Sequence, residues 1–298
     1  MTIDLYPSRR GGPVQVLPRR DPVLHGDADT RARGPLSPEQ LARYERDGFL
    51  VAPGVLTASE VDALRLALDR FRLEARAAKA SDGVIREPGS DAQRSLFDVH
   101  RRADALGALR RHPFLAGAAR QVLGGEVYVH QSRLNLKQGF GGAGFSWHSD
   151  FETWHAEDGM PRMRALSASV LLDDNHAWNG ALMLIPGSHR EFVTSPSETP
   201  PDHYRMSLVE QEIGTPSAGA LRELFDRAGR IEIATGVAGT VVLFDCNVMH
   251  ASTENLSPLP RQNVFLCFNA LENALVEPFG APHRRPSFLA SRDFTPVG

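Results

Sequence analysis

The first part of the chain carries hydrophobic residues at helical spacing, introduced by clear capping signals. Ser37, Pro38 and Gln40 form a capping box with proline in the first turn, which predicts that a helix begins there. The pattern further predicts that this helix ends at Gly48 and that residues 49–51 form a short strand.

A second capping box, formed by Thr57 and Glu60, predicts the start of a long amphipathic helix. A third helical stretch is predicted over residues 103–123, with an interruption at Pro113. The side chains expected to point from the second helix toward a core are Val61, Leu64, Leu66, Leu68 and Phe71. The chain before residue 126 is therefore predicted to be mainly helical.

From Glu126 the hydrophobic pattern changes to a period of two, which indicates β-strands. One face of the strand predicted at residues 127–137 is strongly polar. Such a face is typical of a solvent-exposed edge strand, but it also suits the wall of a pocket. A candidate metal motif follows about ten residues later, which favours the pocket wall. The polar residues of this face are Gln131, Arg133, Asn135 and Lys137.

The rest of the chain alternates strand patterns with turns. Several antiparallel strands after a helical portion predict a mainly β fold with α-helices: a double-stranded β-helix (a cupin-like jelly roll) braced by N-terminal helices. Residues 1–35 lack an apolar period and are predicted to form an arm packed on the domain or on a partner, and residues 36–298 to form a single domain. The later strands are predicted at residues 165–172, 181–185, 231–233, 240–244 and 263–268, with a helix inserted at 217–229.

Composition and charge exclude several classes of function. A net charge of −3 and a pI of 6.4 give no basis for binding nucleic acid or an anionic membrane. No stretch is apolar over the length of a membrane span, and the N-terminus lacks the apolar core of a signal peptide. Cys246 and Cys267 lie in apolar strand-like segments and are expected to be buried thiols in a reducing cytoplasm.

The candidate chemistry centres on His148 and Asp150. Two residues apart on an extended strand, their side chains would point to the same face and offer one imidazole nitrogen and one carboxylate oxygen. His250, which follows an apolar strand, would complete the set of two histidines and one carboxylate. This set holds Fe(II) and leaves positions open for oxygen chemistry.

Other histidines are alternative ligands. His155, seven residues after His148, would point to the opposite face of a continuing strand. His189 is expected to belong to a structural turn, and His176 stays open as an alternative ligand. Taken alone, His250 also suits a cap at the end of a strand.

Arg261 follows His250 by eleven positions, on the next predicted strand. An arginine there can clamp a carboxylate through two charge-assisted hydrogen bonds, and Ser252 adds a hydroxyl. A dicarboxylic 2-oxo acid fits this arrangement, with its keto-acid end on the metal and its far carboxylate on Arg261. Most arginines of the chain are expected at the surface, so it is the ordered combination with the metal motif that favours a cosubstrate site.

The order and spacing of these residues resemble the Fe(II)/2-oxoglutarate-dependent dioxygenases. The segment GALMLIPGSH at residues 180–189 is similar to the hallmark of the phytanoyl-CoA dioxygenase-like branch. The segment FSWHSDFETWHAEDGMP at residues 145–161 resembles the signature of the ectoine hydroxylase family. Further similarity at residues 4–9, 87–90 and 97–100 extends the resemblance over nearly the whole chain.

This resemblance implies hydroxylation of ectoine to 5-hydroxyectoine, with Fe(II) as the metal, O2 and 2-oxoglutarate as cosubstrates, and succinate and CO2 as products. It also implies a homodimer that binds a small molecule. Matched by position, His148, Asp150 and His250 hold the iron, and Phe97, Asn135, Lys137, Ser252 and Arg261 form the 2-oxoglutarate pocket. Gln131, Trp154, Ser167, Asn263 and Phe265 contact ectoine, although Ser169 shares the strand face of Ser167.

Physical chemistry agrees with such a substrate, because ectoine carries an amidinium cation and a carboxylate on one ring. Trp154 with Phe244 or Phe265 would offer aromatic faces to the cation, worth about 0.5–2 kcal/mol. Two alternatives stay open at this point. One is a hydroxylase of another small zwitterion or amino acid in the same branch, and the other is a non-catalytic jelly-roll protein that binds a metal or acts as a sensor.

Overall fold

The computed structural model describes residues 3–77, 83–102, 104–209 and 211–298. The first two residues of the predicted arm and Ala103, the first residue of the third helical stretch, lie outside these ranges. The helices are α1 (Ala28–Ala32), α2 (Pro38–Asp47), α3 (Ala58–Glu74), α4 (Asp104–Leu109), α5 (Pro113–Leu123), α6 (Asp150–Thr153), α7 (Tyr204–Ser207) and α8 (Ala218–Ala228). The strands are β1 (Val16–Pro18), β2 (Phe49–Ala52), β3 (Val84–Arg86), β4 (Gln93–Phe97), β5 (Val127–Lys137), β6 (Phe145–His148), β7 (Ala165–Leu171), β8 (Leu182–Leu184), β9 (Glu191–Val193), β10 (Glu232–Ala234), β11 (Val241–Asp245), β12 (His250–Ser252) and β13 (Arg261–Ala270).

Both predicted capping boxes are present. The hydroxyl of Ser37 accepts from the N–H of Gln40 at the start of α2, and Thr57 and Glu60 make the equivalent pair at the start of α3. Helix α2 ends at Gly48, whose φ of +84° is left-handed and suits glycine. The predicted interruption at Pro113 separates α4 from α5, because proline fits only the first turn of α5.

The prediction that Leu66 of α3 points toward the core is wrong. Leu66 is 57 % exposed, whereas Leu64 and Leu68 are buried. Each residue turns a helix by about 100°, so Leu66 lies about 200° away from Leu64 and cannot share its face.

Two antiparallel sheets form the body of the fold. The larger sheet has the order β2-β11-β7-β13-β5-β4-β3, and the smaller has the order β10-β8-β12-β6. Apolar side chains from the two sheets, including Phe49, Leu184, Phe244 and Phe265, form a common core cluster. The predicted mainly β jelly-roll class is confirmed. Side chains of α2, α3 and α5 belong to a second cluster with apolar residues of the larger sheet.

The N-terminal arm has specific contacts. Strand β1 pairs antiparallel with β9, and the ring of Tyr6 is buried against Phe151 and Phe192. The boundary between an arm of residues 1–35 and a domain of residues 36–298 stays a prediction. Among the described residues, no helix combines the length and the apolarity needed to span a membrane.

Candidate metal centre and substrate cavity

The prediction that His148 and Asp150 lie on one extended strand is wrong. His148 ends β6, Ser149 caps the next helix, and Asp150 is the first residue of α6. Ser149 has an extended backbone and its hydroxyl accepts a long hydrogen bond from the N–H of Glu152, so the chain turns from strand to helix between the two residues. The side chains still converge, with Nε2 of His148 3.8 Å from Oδ1 of Asp150.

His250 reaches the same point through strand pairing. It opens β12, which pairs antiparallel with β6, and the pairing register sets His250 directly opposite His148. Nε2 of His250 lies 3.9 Å from Oδ1 of Asp150. The three candidate ligand atoms lie within 4.8 Å of one another, and no other such cluster of His, Cys, Asp and Glu occurs among the described residues. The predicted triad is therefore brought together.

Hydrogen bonds and burial prepare the three side chains to bind a cation. Nδ1 of His148 lies 2.7 Å from the carbonyl of Ser146, and Nδ1 of His250 lies 3.0 Å from the carbonyl of Val248. A carbonyl only accepts, so each Nδ1 carries the hydrogen and each Nε2 is left free to bind a metal.

The charges of the triad suit the same purpose. Burial lowers the pKa of His148 to about 3 and lowers the pKa of His250, so both rings are neutral at pH 7. Burial would raise the pKa of Asp150, but interaction with the protonated form of His250 and with the charge of Arg133 outweighs burial, so the pKa is lowered and the carboxylate is charged at pH 7. Two neutral imidazoles and one carboxylate are a donor set that fits Fe(II).

The alternative histidines have other partners. His155 lies in a π-helical turn (Trp154–Asp158), not on a strand, and its ring stacks on Phe279 at 4.2 Å. His176 stacks on Trp178, and His189 belongs to the short helical turn Ser188–Arg190. None of the three joins the triad.

A cavity of about 900 Å³, including its open mouth, adjoins the triad. Its walls come from both sheets, from α6 and from the segment around α7. Ten of the predicted site residues line it, namely Phe97, Gln131, Asn135, His148, Asp150, Trp154, His250, Ser252, Arg261 and Phe265. The polar face of β5 is thus a pocket wall, and the edge-strand alternative is wrong because β5 pairs with β4 and β13 on either side.

Arg261 lies buried at the start of β13. Burial lowers the pKa of its guanidinium to about 10, and its Nε has no hydrogen-bond partner in the described part of the protein. Near it, the hydroxyl of Ser95 donates to Oδ1 of Asn135 at 3.0 Å. A buried cation with an unsatisfied donor beside hydroxyl and amide groups is suited to hold a carboxylate.

Arg133 and Gln131 form the wall nearer the metal. The guanidinium of Arg133 lies 4.8 Å above the ring of Phe265 and donates to Oε1 of Gln131 at 2.8 Å. The amide nitrogen of Gln131 donates to the carbonyl of Leu289 at 2.8 Å. Gln131 is therefore fixed in orientation on both sides.

Three predicted contact residues are not among those that line the cavity. The side-chain nitrogen of Lys137 donates to the carbonyls of Ala143 and Thr253, and burial lowers its pKa to about 6. The hydroxyl of Ser167 lies 3.4 Å from Oδ2 of Asp150, behind the metal site. Asn263, with its amide oxygen turned toward Arg261, accepts from Nη1 of that arginine at 2.7 Å.

Sequence reasoning missed part of the opposite wall. Arg285 lines the cavity and makes a bidentate ion pair with Asp158, with both hydrogen bonds at 2.7 Å. No local period or metal-like spacing marks this arginine in the sequence. The other cavity residues that were not singled out include Thr153, Ser207, Leu208 and Gln211.

A double antiparallel sheet, with two histidines and a carboxylate converging beside a cavity, defines the class of mononuclear non-haem iron oxygenases. The sequence model of the Phytanoyl-CoA dioxygenase (PhyH) family matches residues 44–263. The chain belongs to this family and, within it, to the ectoine dioxygenases.

The relatives are similar over almost their whole length. The chain is 50% identical over 294 residues to the ectoine dioxygenase of Streptomyces avermitilis, covering 99% of this chain and 98% of the relative. The crystal structure of EctD from S. alaskensis with 2-oxoglutarate and 5-hydroxyectoine has a TM-score of 0.86 at 46% identity, covering 97% and 95% of the two chains. The structure of the same protein with bound Fe has a TM-score of 0.85 at 45% identity, covering 98% and 96%.

Proposed function

We propose that this protein hydroxylates ectoine to 5-hydroxyectoine, using Fe(II), O2 and 2-oxoglutarate and releasing succinate and CO2. The observation that carries the proposal is the convergence of His148, Asp150 and His250 on a cavity that also contains the buried cation of Arg261. The full-length similarity to EctD, whose structure contains 2-oxoglutarate and 5-hydroxyectoine, supports the same pair of ligands here.

In this proposal 2-oxoglutarate lies between the metal and Arg261. Its far carboxylate binds the guanidinium, with Ser252 and Asn135 adding hydrogen bonds and Phe97 covering the aliphatic part. Asn263 acts by orienting Arg261, to which it is hydrogen-bonded. Lys137 acts through its bonds to the carbonyls of Ala143 and Thr253, which hold the loop between β5 and β6 against β12.

Ectoine is proposed to occupy the part of the cavity between Trp154 and Phe265. One face of Phe265 already lies under Arg133, so Trp154 offers the aromatic surface to the amidinium cation. The carboxylate of ectoine then meets Arg133 or Arg285, the two arginines that line the cavity besides Arg261. Gln131, whose amide is fixed, provides a hydrogen bond that orients the ring.

Bound Fe(II) would supply the oxygen chemistry, in which 2-oxoglutarate is decarboxylated to succinate and one oxygen atom is transferred to the ring. His148, Asp150 and His250 would hold the iron. The residues of the protein contribute orientation: the two cation sites fix the carboxylates of both organic molecules, and Trp154 fixes the ring beside the metal. Phe145, Leu182 and Leu208 limit water in the cavity.

The test is anaerobic loading with Fe(II), followed by an aerobic assay of succinate with and without ectoine. Ectoine-dependent succinate and a product heavier by one oxygen atom are the expected results, and the His148→Ala variant serves as the inactive control. If succinate forms only with another zwitterion, that zwitterion and not ectoine is the substrate. A protein that binds iron but forms no succinate with any zwitterion tested would be a binding or sensor protein instead.

We further propose a homodimer in a reducing cytoplasm. The two cysteines are free and buried, which supports a compartment without disulfide formation.

The surface that would support the dimer includes the exposed side chains of Phe140 and Leu256. Their segments are joined by a backbone hydrogen bond between Phe140 and Ser257. Together they make a small apolar surface available for a partner copy. Light scattering coupled to size-exclusion chromatography tests the dimer, and a monomer at micromolar concentration would refute it.

A further inference from the structure

Arg9 lies in the N-terminal arm, and its side chain is fully buried between two carboxylates. Nε and Nη2 donate to the two oxygens of Glu152 at 3.0 and 2.7 Å, and Nη1 donates to Glu157 at 2.5 Å. Its backbone has a left-handed φ of +59°, and its N–H donates to the carbonyl of Ser195 at 2.7 Å. An arginine held in this uncommon conformation has its position set by the structure around it.

The two glutamates belong to the segment that carries a candidate metal ligand and a cavity wall. Glu152 follows Asp150 by two residues in α6, and Glu157 lies in the π-helical turn that comes next. Between them, Thr153 and Trp154 line the cavity. A π-helical turn is rare and is frequently found at functional sites. Arg9 binds a carboxylate on either side of Thr153 and Trp154, namely Glu152 before them and Glu157 after them.

The same cluster includes the opposite wall of the cavity. Nη1 of Arg9 also donates to the hydroxyl of Thr199 at 3.1 Å, and Nδ1 of His203 lies 2.8 Å from the oxygen of Glu157 that Arg9 binds. The chain then continues through α7 to Ser207 and Leu208, which line the cavity. One guanidinium therefore connects the arm, the metal-ligand segment and the wall that faces it.

The main chain packs directly on this cluster. A Cβ atom at Gly214, whose φ is +85°, would lie 2.5 Å from Oε2 of Glu152 and 2.8 Å from Nη2 of Arg9. Such close cover excludes water and strengthens the hydrogen bonds within the cluster. A buried ion cluster adds little net stability over well-packed apolar residues. What it provides in this position is a fixed geometry.

We propose that Arg9 is a positioning residue for the hydroxylation. It touches neither substrate nor metal, but it holds the segment of Asp150 and Trp154 and the wall at Ser207 in the arrangement that aligns ectoine with the iron. This inference rests on the proposed function. It assigns to the N-terminal arm a role in product formation.

The test compares Arg9→Gln with Arg9→Lys and with Arg10→Gln, a matched variant of the neighbouring exposed arginine. The decisive measurement is 5-hydroxyectoine formed per succinate, because a misplaced substrate lets 2-oxoglutarate turn over without hydroxylation. We expect Arg9→Gln to lower this ratio and to reduce kcat/KM for ectoine roughly 10- to 100-fold. Arg9→Lys should keep only part of the wild-type ratio and of the wild-type kcat/KM, since an ammonium cannot bridge both carboxylates as a guanidinium does. Arg10→Gln should match the wild type.

A folded Arg9→Gln protein with the wild-type product-to-succinate ratio would overturn the proposal, as would a loss of activity that only follows the loss of folded protein. If Arg9→Gln does not fold, the double variant R9Q/E152Q, which removes one charge of each sign, takes its place. A lower ratio of 5-hydroxyectoine to succinate in this variant supports the proposal, and the wild-type ratio overturns it.

A wild type that makes no 5-hydroxyectoine would refute the proposed function alone. The Arg9 variants are then compared by the visible absorption of the anaerobic Fe(II)–2-oxoglutarate complex, which Arg9→Gln should weaken or shift and Arg10→Gln should preserve.

Discussion

The rings of His148 and His250 lie with their centroids 4.2 Å apart, and each donates its Nδ1 hydrogen to the carbonyl two residues earlier in the chain. This repeated bond fixes the same tautomer on both rings and turns both Nε2 atoms toward Oδ1 of Asp150. The protein therefore prepares the ligand atoms with its own main chain. Little rearrangement is needed for a cation to bind.

We expect His148→Ala and His250→Ala each to abolish iron binding and hydroxylation. Loss of a residue that only supports a ligand commonly costs about 10- to 100-fold in metal affinity, so loss of a ligand itself should cost more. Iron per protein chain after anaerobic loading and desalting measures the effect. His176→Ala, which removes a histidine stacked on Trp178 outside the cavity, should bind iron like the wild type. Full iron content in either triad variant would contradict the assignment.

A second prediction concerns Ser167, which lies 3.4 Å from the carboxylate of Asp150 and not among the cavity-lining residues. Ser167→Ala should weaken iron binding by about 10-fold, the lower end of the usual effect of removing a supporting group, and should leave KM for ectoine nearly unchanged. Ser169→Ala is the matched control on the same strand face, because its buried hydroxyl has no hydrogen-bond partner in the described structure. A rise in KM for ectoine without weaker iron binding would show that Ser167 contacts the substrate.

The sequence predicted those features that depend on neighbours along the chain. The capping boxes at Ser37 and Thr57 are local, and the polar face of β5 follows from alternation along one strand. The triad residues could be named from their order. The geometry of His148 and Asp150 could not be predicted, because it depends on Ser149 acting as a helix cap within an apparently extended segment.

Other parts of the site come from distant contacts that leave no local pattern. Arg285 reaches the cavity because Asp158 binds it, and Ser167 lies behind the metal because β7 pairs with β11 and β13. The order of strands in a sheet is set by packing among segments far apart in the chain. Position in the chain therefore indicated which residues belong to the region of the site, but it could not tell a residue in the cavity wall from one behind it.

A third prediction concerns Arg261, which is buried and binds no carboxylate in the described part of the chain, an environment that suits a ligand with a negative charge. Arg261→Met should raise KM for 2-oxoglutarate roughly 10- to 100-fold, the loss of a charge-assisted pair worth about 1.5–3 kcal/mol. KM for ectoine should change much less. The ligand-free variant should be as stable as the wild type or more stable, because a buried charge that has no ion-pair partner among the described residues is removed. An equal rise of both KM values, or a large loss of stability, would indicate that Arg261 mainly shapes the cavity.

The last prediction is a pH dependence of stability that involves Glu157. Burial would raise the pKa of this carboxyl, but the hydrogen bond to His203 and the charges of Arg285 and Arg9 outweigh it and lower the pKa to about 2, from an ordinary value of 4.5. A pKa that is lower in the folded state gives stability that is present above about pH 4.5 and is lost as the pH falls toward 2.

Glu157→Gln should therefore destabilise the metal-free protein by about 3 kcal/mol at neutral pH, with the difference from the wild type shrinking as the pH falls from 4.5 toward 2. Urea unfolding at a series of pH values measures it. The exposed Glu198→Gln variant should stay within about 0.5 kcal/mol of the wild type throughout. If the free energies of unfolding of the wild type and Glu157→Gln differ by the same amount at every pH in this range, the charges of Arg9 and Arg285 do not lower the pKa of Glu157. The ion cluster that connects the arm to the metal-ligand segment would then have no electrostatic basis.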